Sequence, residues 1–248
     1  MRQPPRRLSA LEKTYPFALA LATIFTASHA QADDEIDAED SAGVAEWRLG
    51  IPHALDVSLG LGYAGRLDDP PHFNSVAAGG FTIGGALDLN LSRRVTVGLG
   101  YEHLDLGRED TGVTPSGFAT LDRDLSSLLL RLRLYPVHFD SFAAYIGIAA
   151  GGAWQSVEAT GTVWPVGDPG RNQVFSCQGA GTVALGLRAA AGMVIPFGEA
   201  SSLRFAGQLS GYGLPDDVLD NCAFGAGSVQ SLSATMRFAQ RFGWGDSN

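Results

Sequence analysis

The chain has 248 residues, a formal net charge of −9 at pH 7, and 32 glycines. That length fits one domain. Lys13 is the only lysine, so beyond the N-terminal segment every fixed positive charge is an arginine. The acidic balance argues against nucleic acid and anionic surfaces as partners.

Residues Met1 to Ala32 read as a secretory signal. Arg2, Arg6, Arg7 and Lys13 give a basic start, and Phe17 to Ala27 is an apolar stretch too short to span a bilayer as a helix. Small residues at Ala30 and Ala32 suit cleavage; a retained anchor is the alternative. Residues 33–50 then form an acidic, polar linker on the periplasmic side, opening with DDEIDAEDSAGVAE.

From residue 51 to 244 the texture changes to a period of two, which is a strand signal. The first segment runs Leu55 to Tyr63. The clearest is Phe81 to Leu91, with Phe81, Ile83, Leu87, Leu89 and Leu91 on one face and Thr82, Gly84, Ala86, Asp88 and Asn90 on the other. Six more follow: Val95–Glu102, Leu128–Tyr135, Tyr145–Gln155, Val183–Ile195, Leu203–Ser210 and Leu232–Ala239. The connections at Ser92-Arg93, Val137–Ser141 and Pro196–Ser201 are short. Those at Arg66–Gly79, Asp105–Arg123, Val157–Ala180 and Leu214–Gly227 are long. Eight strands of about ten residues, with short turns on one side and long loops on the other, predict an all-β, eight-stranded antiparallel up-and-down barrel that crosses a membrane. Residues 245–248 form a C-terminal tail.

A soluble barrel also alternates, so the decision rests on which face carries the bulk. Here the second face is Gly, Ala, Ser and Thr with a few Arg, Asp and Glu. That is a poor surface for water, but it suits the narrow centre of eight strands. The bulky apolar face therefore looks outward at lipid. Tyr63, Phe81, Tyr101 and Trp154 are expected at strand ends on the long-loop side, and Phe205 and Phe238 on the other, as interfacial girdles.

The inward parity collects Asp56, Asp88, Glu102, Arg131, Arg133, Arg188, Arg204, Gln208 and Arg237, with Arg241 as a further candidate. Buried charges must pair, so an arginine–carboxylate network filling the lumen is expected. A path for ions or small solutes is the alternative, and it suits larger barrels better. His103 and Ser126 share outward parity near the external rim, with Asp124 and Asp105 close by. A Ser–His–Asp arrangement facing lipid is the enzymatic alternative to plain rim polarity. An even cysteine count in an exported chain predicts a disulfide between Cys177 and Cys222, stapling the third long loop to the fourth; two free thiols are the alternative. Neither cysteine has a Cys or His at metal-ligand spacing, so no metal site is read. No cofactor is implied.

With its signal, its eight alternating segments and its closing strand SLSATMRFAQRF (Ser231 to Phe242), the chain resembles the small outer-membrane barrels of the OmpA, OmpX and OmpW kind, from about Trp47 to Trp244. The resemblance implies residence in the outer membrane of a Gram-negative bacterium, contact with its lipid and lipopolysaccharide, and insertion by the barrel-assembly machinery. In such proteins a terminal aromatic is the assembly signal. Phe238 and Phe242 match it, although the chain runs on to Asn248. The implied function is a non-enzymatic structural or surface-interaction role. A narrow channel and a lipid A hydrolase are the alternatives.

Overall fold

The computed structural model describes residues 54–67, 79–110, 117–139, 141–164, 172–197 and 200–243. The signal (1–32), the linker (33–50), the tail (245–248) and Trp244 lie outside them. The strands are β1 (Ala54–Arg66), β2 (Gly79–Asn90), β3 (Val95–Asp110), β4 (Gly117–His138), β5 (Ala143–Val163), β6 (Gln173–Ala180), β7 (Ala184–Phe197), β8 (Ser201–Gly213), β9 (Val218–Leu219), β10 (Ala223–Phe224) and β11 (Ser228–Gly243).

Eight of them close a ring. The order β4-β3-β2-β1-β11-β8-β7-β5 is completed by pairing of β4 with β5, and every pairing is antiparallel. Closure leaves the ring without an edge, so its backbone groups bond internally. Strand β6 adds only to the outer part of β5, and β9 and β10 form a separate two-stranded ribbon.

The pleat sorts side chains by parity. On β11, Ser231, Ser233, Thr235 and Arg237 are buried, while Leu232, Met236 and Phe238 are exposed. On β1, Leu61 is 59% exposed and on β2 Phe81 is 75% exposed, whereas Asp88 is 0% exposed. Bulky apolar groups outside and ionisable groups inside is the polarity of a transmembrane barrel of the outer-membrane type, and the reverse of a soluble one.

Two expectations need correction. Strands β4 and β5 are 22 and 21 residues long, not about ten. Much of the predicted loops Asp105–Arg123 and Val157–Ala180 is paired sheet: Asp110 lies opposite Thr120, and Val163 opposite Gln173. Both faces of these extensions carry polar groups, so the apolar alternation fades where the sheet does not. A register shift between Asp105 and Gly107 also resets the parity; Gly107 has a φ of 92° and donates its N–H to Asp105 Oδ1 at 2.7 Å. Leu104 and Leu106 continue the inward parity of Glu102, and the shift takes effect beyond them, where Gly107 faces the inward Arg123.

The second correction concerns the aromatics. Tyr101 and Trp154 sit within long strands, opposite Leu128 and Ser126, and not at strand ends. What ends there is the apolar band. Outward residues below Tyr101 are Leu99, Val97 and Val95; above it they are His103 and Asp105. On β4 Leu128 gives way to Ser126, Asp124 and Asp122, and on β5 Trp154 gives way to Ser156 and Glu158. Phe205 and Phe238 are likewise inside β8 and β11, whereas Tyr63 and Phe81 lie close to the ends of β1 and β2, their rings 5.9 Å apart.

Candidate functional site

The barrel interior has three layers. The middle one is ionic. Asp88 on β2 accepts two bonds from Arg131 (2.7 and 2.6 Å), one from Arg133 (3.0 Å) and one from Arg204 (2.7 Å). Arg204 also donates to Asp56 on β1, which accepts from Arg241 at 2.9 Å. Glu102 on β3 is held bidentately by Arg188 (3.0 and 2.6 Å) and accepts from Arg237 at 2.8 Å. Arg188 reaches Ser210 Oγ and Tyr212 Oη as well. Seven strands contribute to this network, and the fork of the guanidinium lets one side chain bridge two of them.

Parity alone puts these residues on the inward face and gives six arginines to three carboxylates; it gives neither their common level nor their pairing. Among the described residues of the layer, the guanidiniums of Arg131, Arg133, Arg188, Arg204, Arg237 and Arg241 meet only three carboxylates, Asp56, Asp88 and Glu102. Glycine makes the approach possible: a Cβ at Gly98 would run into Asp88 Oδ1, and one at Gly60 into Arg237 Cγ.

Apolar layers lie on either side. Towards the long loops, Leu104, Leu106, Leu125, Tyr212, Leu214 and Val229 form one buried cluster. Towards the short turns, Tyr135, Ala143, Tyr145 and Val194 form another, with Tyr145 also stacked under the Arg133 guanidinium at 5.0 Å. Sequence reasoning missed the first cluster because Leu106 falls in the stretch read as loop, and Leu104 and Leu125 lie between that loop and the segments read as strands. Their signal was an apolar residue every second position up to the bulge.

The last long loop folds over this mouth. Gln155 is buried; its Nε2 donates to Pro215 O and its Oε1 accepts from Ala226 N, both at 2.8 Å. Arg123, also inward, donates to Phe224 O. Asp220 accepts from Ala180 N at 2.9 Å, and Cys177 and Cys222 form a disulfide that joins β6 to the turn between β9 and β10. Asp220 and Asn221 take φ of 46° and 58°, the left-handed region these two residue types tolerate best among side-chain-bearing residues.

On the outside, just above the apolar band, the β3–β4 register sets His103 opposite Ser126. His103 Nδ1 lies 3.1 Å from Ser126 Oγ, His103 Nε2 lies 3.6 Å from Asp124 Oδ1, and Tyr101 Oη lies 3.3 Å from the same hydroxyl. Partial burial lifts the Asp124 carboxyl above its ordinary range; His103 opposes this, and Asp105, Asp122 and Glu158 reinforce it. Asp105 Oδ1 accepts from Gly107 N at 2.7 Å. Among the described residues no cluster of His, Cys, Asp and Glu could hold a metal ion.

No family model matches the chain, and no curated protein matches it. Solved structures similar to it include Neisserial surface protein A, at 12% identity and a TM-score of 0.47 over 76% of this chain and 99% of that one. The outer membrane protein OprG from Pseudomonas aeruginosa is similar at 11% identity and 0.46, over 80% and 100%. So is Ail, the attachment invasion locus protein of Yersinia pestis, solved in complex with the heparin analogue sucrose octasulfate, at 10% identity and 0.44 over 77% and 100%.

Proposed function

We propose that this is an exported, integral outer-membrane protein of a Gram-negative bacterium whose lumen is closed and whose working surface is its external loop platform. The observation that carries the reading is the layered interior: a paired ionic layer between two apolar clusters. A solute crossing it would have to break charge-assisted bonds and then pass through packed leucine or tyrosine, and an eight-stranded barrel has little width to spare. The barrel then serves as an anchor in lipid and lipopolysaccharide. The loops between β5 and β7 and between β8 and β11, tied by the disulfide, Gln155 and Arg123, give it a firm outer face. Insertion by the barrel-assembly machinery through the strand bearing Phe238 and Phe242 belongs to the same reading. The test is single-channel recording in planar bilayers. Refolded protein is expected to give no conductance steps; reproducible steps would replace the anchor with a channel.

A second reading has a specific observation in its favour, the approach of His103 to Ser126 and Asp124 at the lipid-facing rim. A serine hydrolase needs a base within reach of its hydroxyl and a carboxylate orienting that base, and the spacing in an unliganded site is often loose. The substrate class would be an acyl ester of an outer-leaflet lipid such as lipid A. Ser126 Oγ would attack the ester carbonyl as His103 takes its proton, and the same proton would leave on the departing alcohol. Water would then release the acid from Ser126. Lipid A from cells expressing the parent is expected to lack an acyl chain that is present with Ser126→Ala. Identical mass spectra in the two cases remove the enzyme.

A further inference from the structure

Among the described residues around Asp88 and Glu102, the guanidiniums of Arg131, Arg133, Arg188, Arg204 and Arg237 outnumber the carboxylates, and the excess has a location. A partly open cavity of about 40 Å³ adjoins the ionic layer, lined by Arg131, Arg133, Arg188, Arg237, Gln208 and Tyr145 and reaching the barrel wall at Leu132 and Ile148, with no carboxylate in its lining. Asp88 and Glu102 hold these guanidiniums but do not line the cavity themselves. Arg237 is 5% exposed and its Nη1 has no partner, and Gln208 Oε1, at 6% exposed for the residue, has none either.

Arginine does not give up its proton, so these charges stay. An uncompensated cation enclosed by a barrel and then by lipid is among the most costly arrangements available to a protein. Water relieves part of this by hydrogen bonding, and the cavity has room for about three molecules on a volume basis. Water does not supply the missing negative charge. The geometry points to a small monovalent anion, of the halide class, bound among Arg131, Arg188 and Arg237, with water satisfying Gln208. The inference concerns the interior alone and does not depend on what the loops contact.

The experiment uses the mature protein refolded into detergent with bromide as the only halide, so that the ion is taken up before the apolar layers close. Crystals are measured at the bromine edge. The expected result is an anomalous peak in the cavity beside Arg237 Nη1. Water density there without anomalous signal overturns the proposal. Gln208→Glu supplies the second arm, since it puts a carboxylate into the same cavity without removing a cation. The variant is expected to fold, to lose the bromide peak, and to lose the rise of Tm with bromide that the parent shows relative to an equal ionic strength of gluconate. A bromide peak that survives in Gln208→Glu places the ion elsewhere and overturns the assignment, as does a parent Tm that is the same in both salts.

Discussion

Replacing Asp88 with asparagine is expected to destabilise the folded barrel by about 3–5 kcal/mol, the range seen when one partner of a buried ion pair is removed. The carboxylate is fully buried and accepts from three arginines on two strands, β4 and β8. Asparagine keeps the shape but offers an amide where Arg131 requires a second acceptor, and three guanidiniums lose their shared negative charge at once. The loss belongs at the upper end of that range because Arg204 also ties Asp88 to Asp56. The measurement is equilibrium urea unfolding in lipid vesicles. Asp122→Asn is the control, since Asp122 meets Arg108 at an exposed site and surface pairs contribute little. It should match the parent. Equal stability of Asp88→Asn and the parent would mean that the lumen is wet enough to screen these charges.

The second large effect lies on the other face. Leu61→Arg is expected to cost about 2–4 kcal/mol in a bilayer, the range for arginine on the lipid face near the midplane of such barrels. Leu61 projects from the middle of β1, opposite Met236 and Ile83, and more than half of its surface is uncovered by protein. In water the same change would be harmless or favourable. Thr160→Arg serves as the comparison: Thr160 is outward and exposed, but lies on the extension of β5 beyond Trp154. It should leave folding unchanged. Urea titration of both variants in vesicles, beside the parent, reads the difference. If Leu61→Arg folds as well as Thr160→Arg, the outer face of the barrel does not meet hydrocarbon.

The contrast between faces was legible in the sequence because it is a period-two property of consecutive residues. Phe81 to Leu91 states it alone, and the alternation of Leu128, Leu130, Leu132 and Leu134 with Leu129, Arg131 and Arg133 states it again. The residues of the ionic layer were legible for the same reason. Their pairing was not. Whether Arg204 meets Asp56, Asp88 or Glu102 depends on register around the whole ring, and sequence parity carries no information about level. The same applies to the rim: that His103 and Ser126 share a face follows from parity, but their opposition follows from the β3–β4 register. The sheet above Tyr101 and Trp154 was illegible on physical grounds. Outside the bilayer neither face must be apolar, so the strands persist without the pattern that announces them. The bulge at Leu106 and the short β9–β10 ribbon depend on local turn chemistry that single residues such as Gly107, Asp220 and Asn221 suggest only once their partners are known.

The central claim is that odd and even positions of one strand look at different solvents. Single nitroxide labels placed in turn at residues 58, 59 and 61 of β1, in protein reconstituted into vesicles, test it most directly; Gly60 and Gly62 are left alone because a side chain there would meet the backbone of β11. High accessibility to oxygen dissolved in the lipid is expected at 59 and 61, and little access to either oxygen or a water-soluble relaxant at 58. Accessibility of 59 and 61 to the water-soluble reagent, with oxygen excluded, would contradict it.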